Sequence, residues 1–134
     1  MRRRVLLAAT LLAGLSTALH ARAEIKSDVI RIGVLTDMSG PFATAMGPGS
    51  VTAARMAAAE FGGAIKGHKI EILQADHQNK PDIASAIARE WFDRDNVQAI
   101  ADGGSSAAAL AVQELVRARN RIFLISGAGF LPPI

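Results

Sequence analysis

Along this chain, short runs of aliphatic and β-branched residues alternate with longer stretches whose apolar positions recur every three or four residues. The first run, 29–35, predicts a strand. A loop of small residues follows, then a helix over about 51–61 with Val51, Ala54, Ala58 and Phe61 on one face at i, i+3, i+7 and i+10. Gly62-Gly63 stops that helix, and Lys66-Gly67-His68-Lys69 reads as a turn into a second strand at 70–75. Pro81, a favoured first-turn residue, opens a second helix with Ile83, Ile87 and Trp91 at four-residue spacing, ending near Asp93 or Arg94. A third strand over 97–101 leads to a third helix over about 106–119. Its inward positions are Ala108, Ala111, Leu115 and Val116, and Asn120 is its stop. Ile122–Ile125 is the fourth strand. Alternation of this kind predicts an α/β fold, a parallel sheet of βαβ units with right-handed crossovers. Parallel sheets need both faces covered, so with no helix after the fourth strand some apolar surface is expected to stay open.

Charge changes the picture because it is unevenly placed. The 134 residues carry 15 basic and 12 acidic groups. Arg2, Arg3, Arg4 and Arg22 all precede Glu24, and every acidic residue stands at Glu24 or later. Without residues 1–23, 11 basic groups face 12 acidic ones, so the basic balance belongs to a leader. It is no nucleic-acid signature, and aromatics at 4% are too few for base-stacking platforms. The leader has a positive start, an uncharged apolar stretch over 5–19, and Ala21-Arg22-Ala23 as an A-x-A cleavage pattern. Residues 1–23 are therefore expected to be a cleavable signal peptide; the apolar stretch is shorter than the roughly 20 residues a membrane-spanning helix needs. The absence of cysteine excludes a lipid anchor on an N-terminal cysteine and any disulfide.

Candidate chemistry gathers at one edge of the expected sheet. The loops that leave the carboxyl ends of the strands, at 37–50, 76–80, 102–106 and 126–129, are rich in small and hydroxyl residues. Ligands of open α/β sheets sit at this edge, and small residues let backbone N–H groups approach them. Ser105 and Ser106 stand where the third helix begins, where free N–H groups and partial positive charge suit a carboxylate. A serine there also caps the helix, and one can cap while its neighbour binds.

Other chemistries fit less well. Gly103-Gly104-Ser105-Ser106-Ala107 approximates a G-x-S-x-G nucleophile elbow, so an exported α/β hydrolase using Ser105 is the alternative reading. That arrangement needs a later histidine, and His20, His68 and His77 all lie upstream of Ser105. No cofactor is expected: the turn after the first strand lacks G-x-G-x-x-G, and Gly127-Ala128-Gly129 has Pro132 where a third glycine belongs. Asp76-His77 offers two adjacent groups without a third at metal-site spacing, so no metal is expected and both are placed in a solvated turn. His68 is expected at the surface and Trp91 in the core.

The segments IRIGVLTDMSGPFA, AARMAAAEFGGAIKGHKIEILQADHQNKPD, VQAIADGGSSAAALAVQEL and NRIFLISGAG occur in this order between Glu24 and about Gly129. Together they resemble the periplasmic solute-binding proteins of ATP-driven branched-chain amino acid transporters, the leucine/isoleucine/valine-binding type. The resemblance implies a Rossmann-like three-layer αβα fold, with 24–129 forming part of the N-terminal lobe of a type I periplasmic binding protein. It implies a non-enzymatic, periplasmic protein whose two lobes close around an amino acid or related small molecule and deliver it to the membrane permease of an ABC transporter. By the same resemblance, Ser105, Ser106, Ser126, Gly127 and Ala128 match the groups that hold an α-carboxylate and α-ammonium. Ser39 and Phe42, in Ser39-Gly40-Pro41-Phe42, would border the side-chain end of the cleft. Relatives continue after GAG with small hydroxyl residues. Here Phe130-Leu131-Pro132-Pro133-Ile134 stand instead, so 130–134 is expected to be a non-native tail from truncation or a lost frame, and the fragment to be non-functional. A ligand-sensing domain of the same fold is a third reading.

Overall fold

Strands and helices alternate through the chain in a computed structural model that describes residues 27–129. The expected signal peptide (1–23) and tail (130–134) lie outside the described residues. The elements are β1 (Val29–Thr36), α1 (Gly47–Glu60), β2 (Ala64–Ile65), β3 (His68–Asp76), α2 (Pro81–Asp93), β4 (Ala99–Asp102), α3 (Ser106–Ala118) and β5 (Ile122–Ile125). They form one sheet of order β2-β3-β1-β4-β5. β1 runs parallel to β3 and β4, and β4 parallel to β5, with Thr36 opposite Asp76, Leu35 opposite Asp102, and Asp102 opposite Ile125. The two-residue β2, missed in the sequence, pairs antiparallel with β3 through the Lys66-Gly67 turn.

Side chains alternate across a strand, and that sorts the layers. Leu35 and Ile100 face α2 and α3, where they pack with Ala84, Ala88, Trp91, Phe92, Ala108, Val112 and Val116. Trp91, as expected, is core: its ring lies on Gly33, where any Cβ would overlap it. Val34, Ala101 and Leu124 face the other way, and with Ser50, Ala53 and Ala54 of α1 they line a groove of about 250 Å³. This is the three-layer αβα arrangement, with β1 central.

The helix faces differ from those read in the sequence. α1 starts earlier, at Gly47 with Pro48 in its first turn, and buries only Gly47 and Val51; Ala54 and Ala58 are half-buried. Phe61 lies past the helix end and is 70% exposed. On α2 the buried positions are Ala84, Ala88, Trp91 and Phe92, with Ile83 and Ile87 at the margin. On α3 they are Ala108, Ala109, Val112 and Val116, with Ala111 and Leu115 half-buried. α2 and α3 pack closely together on the sheet, which favours small alanines at their contact. The α1 layer is thin: Met56, Phe61, Ile122 and Leu124 are exposed, the open apolar surface expected of this sheet.

Candidate functional site

The chain leaves β1 toward β3 on one side of the sheet, then crosses to β4 on the other. The gap between the loops after β1 and β4 is thus a topological switch point, where open α/β sheets place ligands. What shapes this edge is a set of buried carboxylates and one histidine.

Asp37, fully buried just past β1, accepts the N–H groups of Gly40 at 2.7 Å and Phe42 at 2.9 Å. Asp76, at the end of β3, accepts from Met38 N–H at 2.9 Å, Gln78 N–H at 2.8 Å and Ser39 Oγ at 2.6 Å. Between them these two side chains hold the loop bearing Ser39 and Phe42. Burial pushes the Asp76 carboxyl up, but the Ser39 hydroxyl and the Met38 and Gln78 amides, helped by His77, outweigh it and hold the carboxyl below its ordinary value. The Thr36 hydroxyl accepts the Gly47 N–H at 3.1 Å and ties the far end of the loop to β1.

After β4, Gly103 and Gly104 both take left-handed backbone, at φ +81° and +46°, and deliver Ser105. Ser105 is the N-cap of α3: its Oγ accepts the Ala108 N–H at 3.3 Å, and it is buried. Ser106, in the first turn, is half-buried. At the end of β5, Ser126 Oγ donates to Asp102 Oδ1 at 2.7 Å. Asp102 is itself buried and sits at φ +83°, an uncommon conformation for a residue with a side chain, and its Oδ2 has no hydrogen-bond partner. Gly127 is packed against Met46 from the loop after β1. Ala128 is half-buried beside it.

His77 overturns the solvated-turn expectation. It is fully buried, with Nδ1 accepting the Asn79 N–H at 3.0 Å. Burial holds the imidazole below its ordinary value, against the pull of Asp37, Asp76, Asp102 and the nearby Gly103 carbonyl. That carbonyl does not meet hydrogen-bond geometry with Nε2. His68 is half-buried, its Nδ1 lying 2.7 Å from the Ser27 carbonyl. Among the described residues no group of three or more His, Asp or Glu is placed to hold a metal.

The structure therefore brings Ser39 and Phe42 to the β1 loop, Ser105 and Ser106 to the start of α3, and Ser126–Ala128 to the end of β5, all on one edge. Of the residues that organise them, Asp37 and Asp102 were not singled out in the sequence, and His77 was read there only as part of a solvated turn. Asp37 carried a local signal, an acidic residue two positions before Ser39-Gly40-Pro41, the pattern of an Asx-type turn. The other two owe their roles to contacts between distant loops.

The profile of a family described as periplasmic binding protein matches residues 29–132. Among curated proteins there is no significant match. Solved structures do match. A periplasmic binding protein from Burkholderia mallei is 43% identical, with a TM-score of 0.73, covering 76% of this chain and 27% of its own. A branched chain amino acid ABC transporter periplasmic ligand-binding protein from Burkholderia xenovorans is 44% identical, with a TM-score of 0.73, covering 75% and 27%. An ABC transporter solute-binding protein from Rhodopseudomonas palustris, in complex with 3,4-dihydroxybenzoic acid, is 28% identical, with a TM-score of 0.70, covering 77% and 28%. The chain thus spans about a quarter of the length of these structures.

Proposed function

The chain belongs to the periplasmic binding protein family, and from that premise we propose that it is part of the extracytoplasmic solute-binding component of an ABC-type uptake system for an amino acid or related carboxylate. In this reading residues 1–23 direct export to the periplasm, and 24–129 form one wall of a cleft whose second wall is a further lobe. The bound solute passes to a membrane permease. The observation that carries the reading is the meeting of three hydroxyl-bearing loops at the β1/β4 switch point, with Ser105 and Ser106 at the positive end of the 13-residue α3. A carboxylate is the group that end suits, and both the relative named for branched-chain amino acids and the one holding 3,4-dihydroxybenzoic acid fit a carboxylate-bearing solute.

The hydrolase reading loses support at Ser105. Its Oγ is engaged by the Ala108 N–H, and the nearby imidazole of His77 has its Nδ1 taken by Asn79 and its Nε2 against Gly104. Among the described residues no base is hydrogen-bonded to this hydroxyl, so the site offers it no partner for nucleophilic activation.

Solutes of two-lobed proteins are buried between the lobes, so one wall holds them weakly. Calorimetry of the chain with leucine, valine, phenylalanine and 3,4-dihydroxybenzoate is expected to give millimolar affinity or weaker. Micromolar binding by this chain alone would refute the need for a second lobe, and ester turnover lost in Ser105→Ala would overturn the non-enzymatic reading.

A further inference from the structure

The turns that follow β1 and β4 close over one buried side chain of the loop after β3, His77. Nδ1 of His77 accepts the Asn79 N–H, so the neutral ring carries its proton on Nε2. That nitrogen is buried without a hydrogen-bond partner and lies under Gly104: a Cβ on residue 104 would come within 2.8 Å of Nε2 and 3.1 Å of the Asp37 nitrogen. The ring is held from its own backbone too. Its N–H donates to the Thr36 carbonyl at 3.0 Å, and its carbonyl accepts the Lys80 N–H at 2.8 Å. Gly104 leads straight into Ser105, the cap of α3.

We propose that His77 is a positioning residue for the solute site: the Nε2 edge of its neutral ring is the floor on which the Gly103-Gly104 turn rests, and it sets where Ser105, Ser106 and the start of α3 stand relative to the loop after β1. The proposal rests on reading this edge as a solute site, and it goes further by assigning the site's shape to a buried group. The competing role is local: Nδ1 simply closing the 77–79 turn, as an Asx side chain does. His77→Asn separates the two. Its carboxamide oxygen can still accept the Asn79 N–H, but the space beneath Gly104 is left empty.

The experiment is NMR of the ¹⁵N-labelled full chain at neutral pH. In His77→Asn the Asn79 amide is expected to exchange within about threefold of wild type, while the amides of Gly104, Ser105, Ser106 and Ala108 shift and exchange at least ~10-fold faster. Unmoved amides over 104–108 overturn the proposal. A second measurement needs no variant and stands even if His77→Asn does not fold. The ring nitrogens of wild type must report an unprotonated Nδ1 and a protonated Nε2, and a proton on Nδ1 overturns the assignment. Neither measurement uses a solute. Finding no solute therefore counts against the proposed function, whereas unmoved amides in a chain that binds one count against His77 alone.

Discussion

Replacing Asp37 with asparagine removes charge from the fully buried one of the two side chains that hold the β1 loop, without changing its shape. The carboxylate accepts from Gly40 N–H at 2.7 Å and Phe42 N–H at 2.9 Å, one bond to each oxygen. Hydrogen bonds to charged groups contribute about 1.5–3 kcal/mol each, against roughly 1 kcal/mol for a neutral pair. In Asp37→Asn one oxygen remains, now neutral, and the new NH₂ group meets an N–H donor. One bond is lost outright and the other weakened by about 1 kcal/mol, for a total of roughly 2.5–4 kcal/mol. With a urea slope near 1.5 kcal/mol/M, a 3 kcal/mol loss lowers the unfolding midpoint by about 2 M. Urea titration followed by circular dichroism reads the midpoint, and amide exchange at Gly40 and Phe42 reads the loop itself. A drop below about 0.3 M, with both amides as protected as in wild type, would refute the assignment of the loop to this carboxylate.

Three further outcomes follow from packing, capping and titration. Gly33→Ala forces a methyl into the Trp91 ring, so it is expected to cost about 1–3 kcal/mol and to shift Trp91 fluorescence; unchanged melting would mean the ring lies elsewhere. Ser105→Ala removes the α3 cap at a cost of about 1 kcal/mol, read as a melting point roughly 5 °C lower; an unchanged melting point would remove Ser105 from the cap. The His77 pKa is lowered by burial, so the stability it supports is present above its ordinary value of 6.5 and is lost as pH falls through the folded value. Asp76, also lowered, gives a second loss at more acid pH, below its ordinary 3.8. Stability measured against pH should therefore fall in two acid steps, and His77→Asn should remove the first.

The alternation of strands and helices was legible because each element carries its own period, and α/β topology follows from the alternation alone. The helix faces were less so. Apolar spacing on α2 picked Ile83 and Ile87, but the close α2–α3 contact favours the small Ala84 and Ala88, a choice made by the neighbour and not by the helix. Phe61 failed for another reason: it falls after the helix end, on the layer that covers least of the sheet. At the site, the loops and their serines could be read from strand ends, and Ser105 as a cap from its place before α3. Asp76-His77-Gln78-Asn79-Lys80 looks like a solvated polar run, and only the strand order, which brings the Gly103-Gly104 turn over it, buries the histidine.

In the proposed function this carboxyl edge receives a small carboxylate-bearing solute. Amide chemical shifts of the ¹⁵N-labelled chain, titrated with millimolar leucine, phenylalanine and 3,4-dihydroxybenzoate, test it most directly. At least one of them is expected to move the amides of Ser105, Ser106 and 126–128, together with those of the loop after β1, while β2 and the far ends of the strands stay still. Shifts scattered over the open apolar face around Met56 and Leu124, or none at this edge with any of the three, would contradict it.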